Sequence, residues 1–314
     1  MQMKVMSRQK LLMPGLFLLV MFVLSGCGQE PAGNQANEDA ETDAEAADAR
    51  IVVDSPAIAH YMAIFDVPLV GIPTTDRPLP EEYEGLPEIG IAVKPNIEKI
   101  VSLEPDLFIG DKVLAQFSKE QVESKGIETL YLDNSSYDSV FDSILEVGEL
   151  LGKPEVAEEF IAEQRAEEEQ LLAQAEALKG KKVALLMGTA ESYQLATKNS
   201  YLGSILKKIG VDNVADEVGD TDQEYVTFTK ESLVAANPDY ILALAHGGDP
   251  EQVEASFKDE FASTIWDDTT AKQEDQIHYI DSEQYPVTGS VYNVQILEKI
   301  VNLLERGIED GNEQ

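Results

Sequence analysis

Two stretches of the chain repeat one short pattern, and this repeat constrains the fold more than any other feature. Glu98 precedes the pair Pro105-Asp106 by seven residues, and Glu231 precedes Pro238-Asp239 by the same seven. In both copies a short helical segment comes before the Pro-Asp pair and an apolar, strand-like run follows it. A fixed internal spacing of this kind indicates duplicated structural units. We therefore predict two similar α/β lobes.

The sequence between the two copies is predicted to be one long helix over 154–179. Pro154 suits a first helical turn, good helix formers follow, and Gly180 provides a stop. Such a helix would span roughly 39 Å, enough to set the distance between two lobes. The charged run Glu167–Glu169 is expected to face water. A coiled-coil segment is the alternative, although no strict heptad persists.

Apolar runs alternate with helical segments on both sides of this helix, which is typical of mostly parallel sheets with covering helices. The predicted fold class is α/β, with two Rossmann-like lobes joined by one long α-helix. The predicted boundaries are an N-terminal lobe over 50–153, the connecting helix over 154–179 and a C-terminal lobe over 180–314.

The N-terminus has the features of a secretory signal. Three cations precede the apolar run Leu11–Leu24, which is short for a membrane span, and small residues lead to Cys27. This order resembles a bacterial lipobox, so residues 1–26 are predicted to be a lipoprotein signal peptide and Cys27 the lipidated residue. A plain signal with an incidental cysteine is the alternative. Residues 27–49 are acidic, lack large aliphatic side chains and are predicted to be a disordered tether.

The composition excludes several classes of function. The net charge of −36 argues against nucleic acid and anionic membrane surfaces as partners. With one cysteine and three histidines in the chain, thiolate clusters and all-histidine metal cages are not expected. The usual phosphate-loop, zinc-protease and serine-hydrolase motifs are missing, so the protein is not expected to be an enzyme.

One histidine stands where an open α/β sheet binds its ligands. His246 follows a predicted buried strand and precedes Gly247-Gly248, which allow close approach. An imidazole in such a loop suits axial coordination of haem iron, and a loop-capping role is the alternative. His60 and His278 are expected to pack in the core, with a ligand cleft as the alternative for His60.

Several motifs together resemble the class III ABC-transporter solute-binding lipoproteins and, within that family, its haem-binding members. The lipobox, acidic tether and long connecting helix carry the broader resemblance. The narrower one rests mainly on Pro87-Glu88-Ile89-Gly90, Pro95-Asn96 and His246-Gly247. It is supported by Gly71-Ile72-Pro73-Thr74, Leu79-Pro80, Tyr83, Leu186-Met187-Gly188, Ala196-Thr197 and Ser200-Tyr201. The resemblance implies the class III periplasmic-binding-protein fold and covers nearly the whole mature chain.

The resemblance also implies a ligand site between the lobes, with haem b as the transported ligand. In the family a histidine and a methionine hold the iron; the histidine corresponds to His246, but Val93 stands at the methionine position. Valine cannot coordinate iron, which leaves five-coordinate haem, a substitute ligand or a different cargo. Lys94 is better suited to a propionate than to iron. Met62, His60 and Met187 are weaker substitutes.

Further residues complete the predicted site. Tyr201, Tyr225 and Tyr285 are candidate walls for a flat, hydrophobic ligand, with core packing as the alternative for each. Glu98 and Glu231 match the family's acidic residues that dock on two permease subunits; the alternative is that each only stabilises its helix N-terminus. We expect a monomer, anchored by lipid to the outer face of the cell membrane, that delivers haem to an ABC permease. A ferric-siderophore or corrinoid carrier is the alternative.

Overall fold

The computed structural model describes residues 49–189, 192–218 and 222–312. The predicted signal peptide, all of the tether except Ala49, and Cys27 lie outside these residues. Among the helices in the described ranges, none is both long and apolar enough to cross a membrane.

The first lobe is built on a parallel sheet with the strand order β2-β1-β5-β6 and a small hairpin of β3 and β4. The strands are β1 Ile51–Val53, β2 Leu69–Gly71, β3 Gly90–Ile91, β4 Lys94–Pro95, β5 Leu107–Asp111 and β6 Glu128–Leu132. Strands β1 and β5 are buried throughout, as expected for a sheet covered on both faces.

The helices of this lobe are α1 Pro56–Ile64, α2 Ile97–Ser102, α3 Ala115–Glu123 and α4 Tyr137–Leu150. Single 3₁₀ turns occupy Glu81–Tyr83 and Lys112–Leu114. Three helices begin at side-chain caps: Ser55 accepts from the Ile58 amide, Asn96 from Lys99 and Ser136 from Ser139. The Ser55 and Ser136 caps begin helices that follow the carboxyl ends of β1 and β6, and the Asn96 cap begins the helix after the hairpin.

The connecting helix α5 runs over Pro154–Gln174 and ends in a 3₁₀ turn at Ala175–Leu178. Its α-helical part is therefore about 31 Å long, shorter than the sequence predicted. It packs on α4 of the first lobe and on the C-terminal helix of the second, so it is not an isolated coiled-coil segment. The expectation that Glu167–Glu169 faces water is wrong for Glu168, which is 7 % exposed and paired with Arg165 and Lys208.

The second lobe has the strand order β10-β8-β7-β11-β12, with β9 paired to β7. Strands β7, β9, β11 and β12 are parallel, whereas β8 is antiparallel to both neighbours. The strands are β7 Lys182–Gly188, β8 Tyr193–Ala196, β9 Asp212–Asn213, β10 Tyr225–Val226, β11 Tyr240–Ala245 and β12 Ile277–Asp281. The helices are α6 Tyr201–Ile209, α7 Ala215–Val218, α8 Lys230–Ala236, α9 Pro250–Phe261, α10 Thr270–Gln273 and α11 Asn293–Asn312, with a 3₁₀ turn at Thr264–Trp266.

The repeated Pro-Asp pairs make the same contacts in both lobes. The Asp106 carboxylate accepts a hydrogen bond from the Arg50 amide at 2.8 Å, and Asp239 accepts one from the Lys182 amide at 2.7 Å. In return, the amides of the two aspartates donate to the carbonyls of Arg50 and Lys182. Each pair therefore fastens the start of its own strand to the first strand of its lobe. The internal repeat is a structural repeat.

The two lobes share one hydrophobic core. A continuous cluster of buried side chains includes Ile51 and Phe141 of the first lobe together with Leu206 and Leu297 of the second. Helix α5 contributes Ala157 to the same cluster. The predicted fold class is confirmed: two Rossmann-like α/β lobes are joined by one long helix.

Candidate functional site

The candidate ligand histidine lies at the carboxyl end of β11. The His246 amide donates to the carbonyl of Gly188, the last residue of the neighbouring strand β7, at 2.9 Å. Gly247 and Gly248 have φ angles of 77° and 75°, a left-handed conformation that favours glycine. A Cβ at either position would meet no atom within 4 Å. The two glycines therefore form the backbone turn after β11 and leave open space beside His246.

The environment of His246 keeps its imidazole neutral. Its Nδ1 atom is buried and has no hydrogen-bond partner among the described residues. Burial lowers the pKa of His246, and the positive charge of Arg77 lowers it further. A neutral imidazole retains a lone pair on one ring nitrogen, which is the form that binds metal ions.

Arg77 brings the first lobe to this histidine. It lies in the loop after β2, where its amide donates to the Thr75 hydroxyl at 3.0 Å. Its guanidinium Nη2 contacts the Ser282 carbonyl of the second lobe at 3.4 Å. Arg77 was not among the sequence-predicted site residues, because a single cation in a proline-rich loop carries no periodic or motif signal. Only the packing of the two lobes brings its charge near enough to His246 to lower the pKa of the imidazole.

His60 lies on the same side of the molecule as Arg77. The prediction that it packs in the core is wrong. It is half-buried, its Nε2 is 3.2 Å from the Pro78 carbonyl, and its ring meets that of Tyr292 edge-on at 5.1 Å between centroids. Burial lowers its pKa. His278 is half-buried in β12, bonds to Gln276 and stacks beside Tyr240.

The hairpin of β3 and β4 presents apolar side chains to solvent. Val93 is 52 % exposed and Ile91 is 49 % exposed, and Lys94 is also exposed. Gly90 turns into the hairpin with a φ of 95°. A valine offers no donor atom to a metal, so the hairpin can contribute only contact surface and the Lys94 ammonium. Met62 is fully buried in α1, which removes it as a substitute ligand in this arrangement.

The three candidate tyrosines lie in different environments. Tyr201 is 1 % exposed and its hydroxyl donates to Asn293 Oδ1 at 2.7 Å, so it packs in the core instead of lining an open surface. Tyr225 is half-buried, and burial, followed by the charge of Glu224, raises its pKa to about 12. Tyr285 is half-buried, with Lys299 Nζ 6.0 Å from its ring centroid.

A buried polar cluster underlies the carboxyl edge of the first sheet. The Asp111 amide donates to Asp54 Oδ1 at 2.9 Å, Asn134 Nδ2 donates to Asp111 Oδ2 at 3.0 Å, and Tyr61 donates to Asn134 at 2.6 Å. Burial raises the pKa of Asp54 to about 8, and the nearby Asp111 carboxylate adds to the effect of burial. Asp54 is therefore mostly protonated at neutral pH. This cluster was not among the sequence predictions; the signal that could have indicated it is an aspartate, Asp54, directly after a buried strand.

The two candidate docking residues occupy equivalent places in the two lobes. Glu98 is the second residue of α2 and Glu231 the second residue of α8, and both side chains are exposed. Neither has an ion-pair partner among the residues that the structure describes. A depression of about 470 Å³ adjoins Glu98. Its lining residues are Ile97, Glu98, Val101, Gln121, Ser124 and Lys125.

The described residues contain no cluster of three or more histidine, cysteine or carboxylate side chains that could hold a metal ion. At the lobe junction, Arg77 contacts the Ser282 carbonyl and its charge acts on His246.

A family profile and a relative of known function each match most of this chain. The profile of the periplasmic binding protein family matches residues 55–284. The high-affinity heme uptake system protein IsdE of Staphylococcus aureus is 29 % identical over 244 residues, covering 77 % of this chain and 82 % of the relative.

Two solved structures show the same fold. An ABC transporter substrate-binding protein from Listeria monocytogenes superposes with a TM-score of 0.75 at 29 % identity, covering 81 % of this chain and 98 % of that one. S. aureus IsdE complexed with heme superposes with a TM-score of 0.72 at 28 % identity, covering 82 % and 98 %. With its two lobes and connecting helix of the class III type, this chain belongs to the periplasmic binding protein family.

Proposed function

We propose that this protein is a non-enzymatic carrier that captures haem outside the cell and delivers it to an ABC permease for iron uptake. The observation that supports it most is the state of His246, a neutral imidazole at a glycine turn. Its buried Nδ1 has no hydrogen-bond partner among the described residues, and the charge of Arg77 from the first lobe lowers its pKa. Haem supplies an iron that accepts one imidazole and carboxylates that a guanidinium attracts. The similarity to IsdE, named for heme uptake, supports the same cargo.

Valine at position 93 favours a second candidate cargo. Without a methionine at position 93, haem bound to His246 would lack the family's second protein ligand. A ferric siderophore or a corrinoid carries its own metal ligands and would need none from the hairpin. The second candidate is therefore a siderophore or corrinoid carrier of the same transport class.

Hemin titration of the purified protein distinguishes these cargoes. We expect a 1:1 complex whose Soret band is sharper and red-shifted relative to free hemin, because an imidazole becomes an axial ligand. His246→Ala should weaken hemin binding at least tenfold. His278→Ala is the matched control, since it removes a half-buried imidazole from the same lobe and should leave the spectrum unchanged. A wild-type spectrum identical to free hemin would refute the haem proposal.

We propose that Glu98 and Glu231 contact basic residues on two permease subunits when the ligand is delivered. The equivalent, exposed positions of the two glutamates on short capped helices suit a two-fold partner. Glu98→Ala with Glu231→Ala should reduce ligand uptake by cells at least fivefold without changing hemin affinity. Glu120→Ala with Glu298→Ala removes the same charge from exposed sites elsewhere. Equal uptake by the two double variants would exclude this docking surface.

Anchoring is proposed to occur through a lipid on Cys27, which would hold the monomer on the extracytoplasmic face of the cell membrane. The motif before Cys27 supports this, and the acidic residues after it would keep the lobes away from an anionic surface. Incorporation of labelled palmitate that is lost in Cys27→Ala tests the anchor.

A further inference from the structure

A polar depression lies at the junction of the lobes, away from His246. Arg77 follows β2 at one edge of the first sheet, whereas Ser135 and Ser136 follow β6 at the other edge. The depression has a volume of about 530 Å³, within the range of small-molecule sites. The lining residues identified are all polar and come from both lobes: Ser135, Ser136, Asp138, Lys198, Asn199, Ser204, Lys207 and Lys208.

The charged residues beside this depression fall into two groups. In the first group, the positive and negative charges cancel. Lys208 Nζ is 2.9 Å from Asp138 Oδ1 and 3.0 Å from Glu168 Oε1. Arg165 donates to the same two carboxylates at 2.8 and 2.6 Å. Burial alone would raise the pKa of Asp138, but its hydrogen bonds to Lys208 and Arg165 lower it below the usual value. Two cations therefore neutralise two anions. The Asp133 carboxylate, which accepts hydrogen bonds from the Ser135 amide at 3.0 Å and hydroxyl at 2.6 Å, is paired with Lys112 at 2.9 Å.

The second group is an excess of positive charge. Lys198 is half-buried and Lys207 is exposed, and neither has an ion-pair partner among the described residues. The chain as a whole carries a net charge of −36 and therefore repels anions over most of its surface. Two lysines without an ion-pair partner in the part of the chain that the structure describes make this depression a local exception to that repulsion.

The depression also adjoins a direct connection between the lobes. Ser204 of α6 accepts a hydrogen bond from the Tyr137 amide at 2.8 Å, and it donates to the Tyr201 carbonyl at 2.6 Å. A molecule in the depression would contact the first lobe at Ser135 and Ser136 and the second lobe at its lysines. Its binding would therefore add a bridge between the lobes.

We propose that this depression binds a small polyanion, a di- or tricarboxylate or a phosphate ester, through Lys198 and Lys207. The lining is polar and carries no aromatic side chain, which excludes a flat hydrophobic ligand. Ammonium groups bind carboxylate and phosphate oxygens as point charges, so a ligand with at least two negative groups satisfies both lysines. The site is separate from His246 and does not depend on the haem proposal.

Isothermal titration of the protein with citrate, pyrophosphate and acetate tests the site. We expect 1:1 binding of citrate, pyrophosphate or both, with acetate at least tenfold weaker because it carries a single charge. The ratio of the first two affinities distinguishes a carboxylate site from a phosphate site. Lys198→Gln with Lys207→Gln should weaken binding at least tenfold, and Lys207→Glu alone should do the same.

The matched control is Lys125→Gln with Lys272→Gln, which removes two exposed lysines elsewhere and should keep wild-type affinity. Thermal unfolding verifies that each variant folds, and hemin titration of the same variants reports separately on His246. The proposal would be overturned if neither citrate nor pyrophosphate bound measurably at concentrations up to about 10 mM, because weaker binding would not be specific. Equal binding by the site variant and the control variant would overturn it as well.

Discussion

Asp54 shows at the scale of one residue how burial changes the chemistry of a side chain. Its carboxyl group is 1 % exposed, and its Oδ2 has no hydrogen-bond partner among the described residues. The groups around it are the Asp111 carboxylate, the Asp111 amide and the Tyr131 ring. Burial is the largest cause of its raised pKa, so the folded protein holds a proton on Asp54 that the unfolded chain releases.

This proton makes stability depend on pH. The folded pKa is about 8 and the ordinary value is 3.8, so the contribution of Asp54 is fully present below pH 4 and is lost as pH rises through 8. We expect Asp54→Asn to remove this loss. The free energy of unfolding of the wild type, relative to the variant, should fall by up to about 1.4 kcal/mol per pH unit between pH 5 and roughly 8.

Urea denaturation from pH 5 to about 8 measures this difference. Asp142→Asn is the control, because Asp142 is exposed on α4 and should follow the wild type at every pH. A constant difference between wild type and Asp54→Asn over the whole range would contradict the assignment of the proton to Asp54.

At the scale of an element, helix α5 is held to the second lobe by a buried acid. Glu168 is 7 % exposed and accepts hydrogen bonds from Arg165 at 2.6 Å and from Lys208 of α6 at 3.0 Å. Removing Glu168 leaves Arg165 and Lys208 with the single carboxylate of Asp138 between them, so one positive charge in this network is uncompensated. We expect Glu168→Ala to lower the free energy of unfolding by on the order of 3 kcal/mol.

The neighbouring Glu167 provides the comparison for this helix. Glu167 is exposed, one residue away in the same charged run, and Glu167→Ala should change stability by less than about 0.5 kcal/mol. Denaturant unfolding of the two variants measures both values. Similar effects of the two substitutions would mean that the buried ion pairs do not stabilise the attachment of α5.

At the scale of the whole molecule, hydrogen bonds and apolar contacts connect the two lobes. Asn293 Oδ1 accepts from the Tyr201 hydroxyl at 2.7 Å, and Asn293 Nδ2 donates to the Tyr137 carbonyl of the first lobe at 2.7 Å. The Gly289 amide donates to the Asn134 carbonyl at 2.8 Å. Because the apolar core is also continuous between the lobes, we expect a single cooperative unfolding transition.

Asn293→Ala should lower the free energy of unfolding by about 2–4 kcal/mol, because the Tyr201 hydroxyl and the Tyr137 carbonyl lose their partner without access to water. Asn302→Ala on the same helix is the control and should cost less than about 1 kcal/mol. Calorimetry measures both stabilities and the number of transitions. Two separate transitions in the wild type would show that the shared core does not couple the lobes.

Much of this architecture was accessible from the sequence, because it depends on local and repeated signals. The equal spacing from Glu98 to Pro105 and from Glu231 to Pro238 predicted the duplication. The strand Lys182–Gly188 coincides with an apolar run of the sequence, and the helix Tyr201–Ile209 ends directly before Gly210. The end of α5 was missed by one turn, because the last residues favour a helix but adopt a 3₁₀ turn.

The sequence by itself determined the two lobes, the connecting helix and the position of His246 after a buried strand, since each follows from the order and spacing of residues nearby in the chain. Only the tertiary structure decided that the charge of Arg77 acts on that histidine and that Glu168 and Tyr201 are buried. These facts depend on contacts between residues far apart in sequence, and the burial, charge and hydrogen bonding that such contacts create are not encoded in any local pattern.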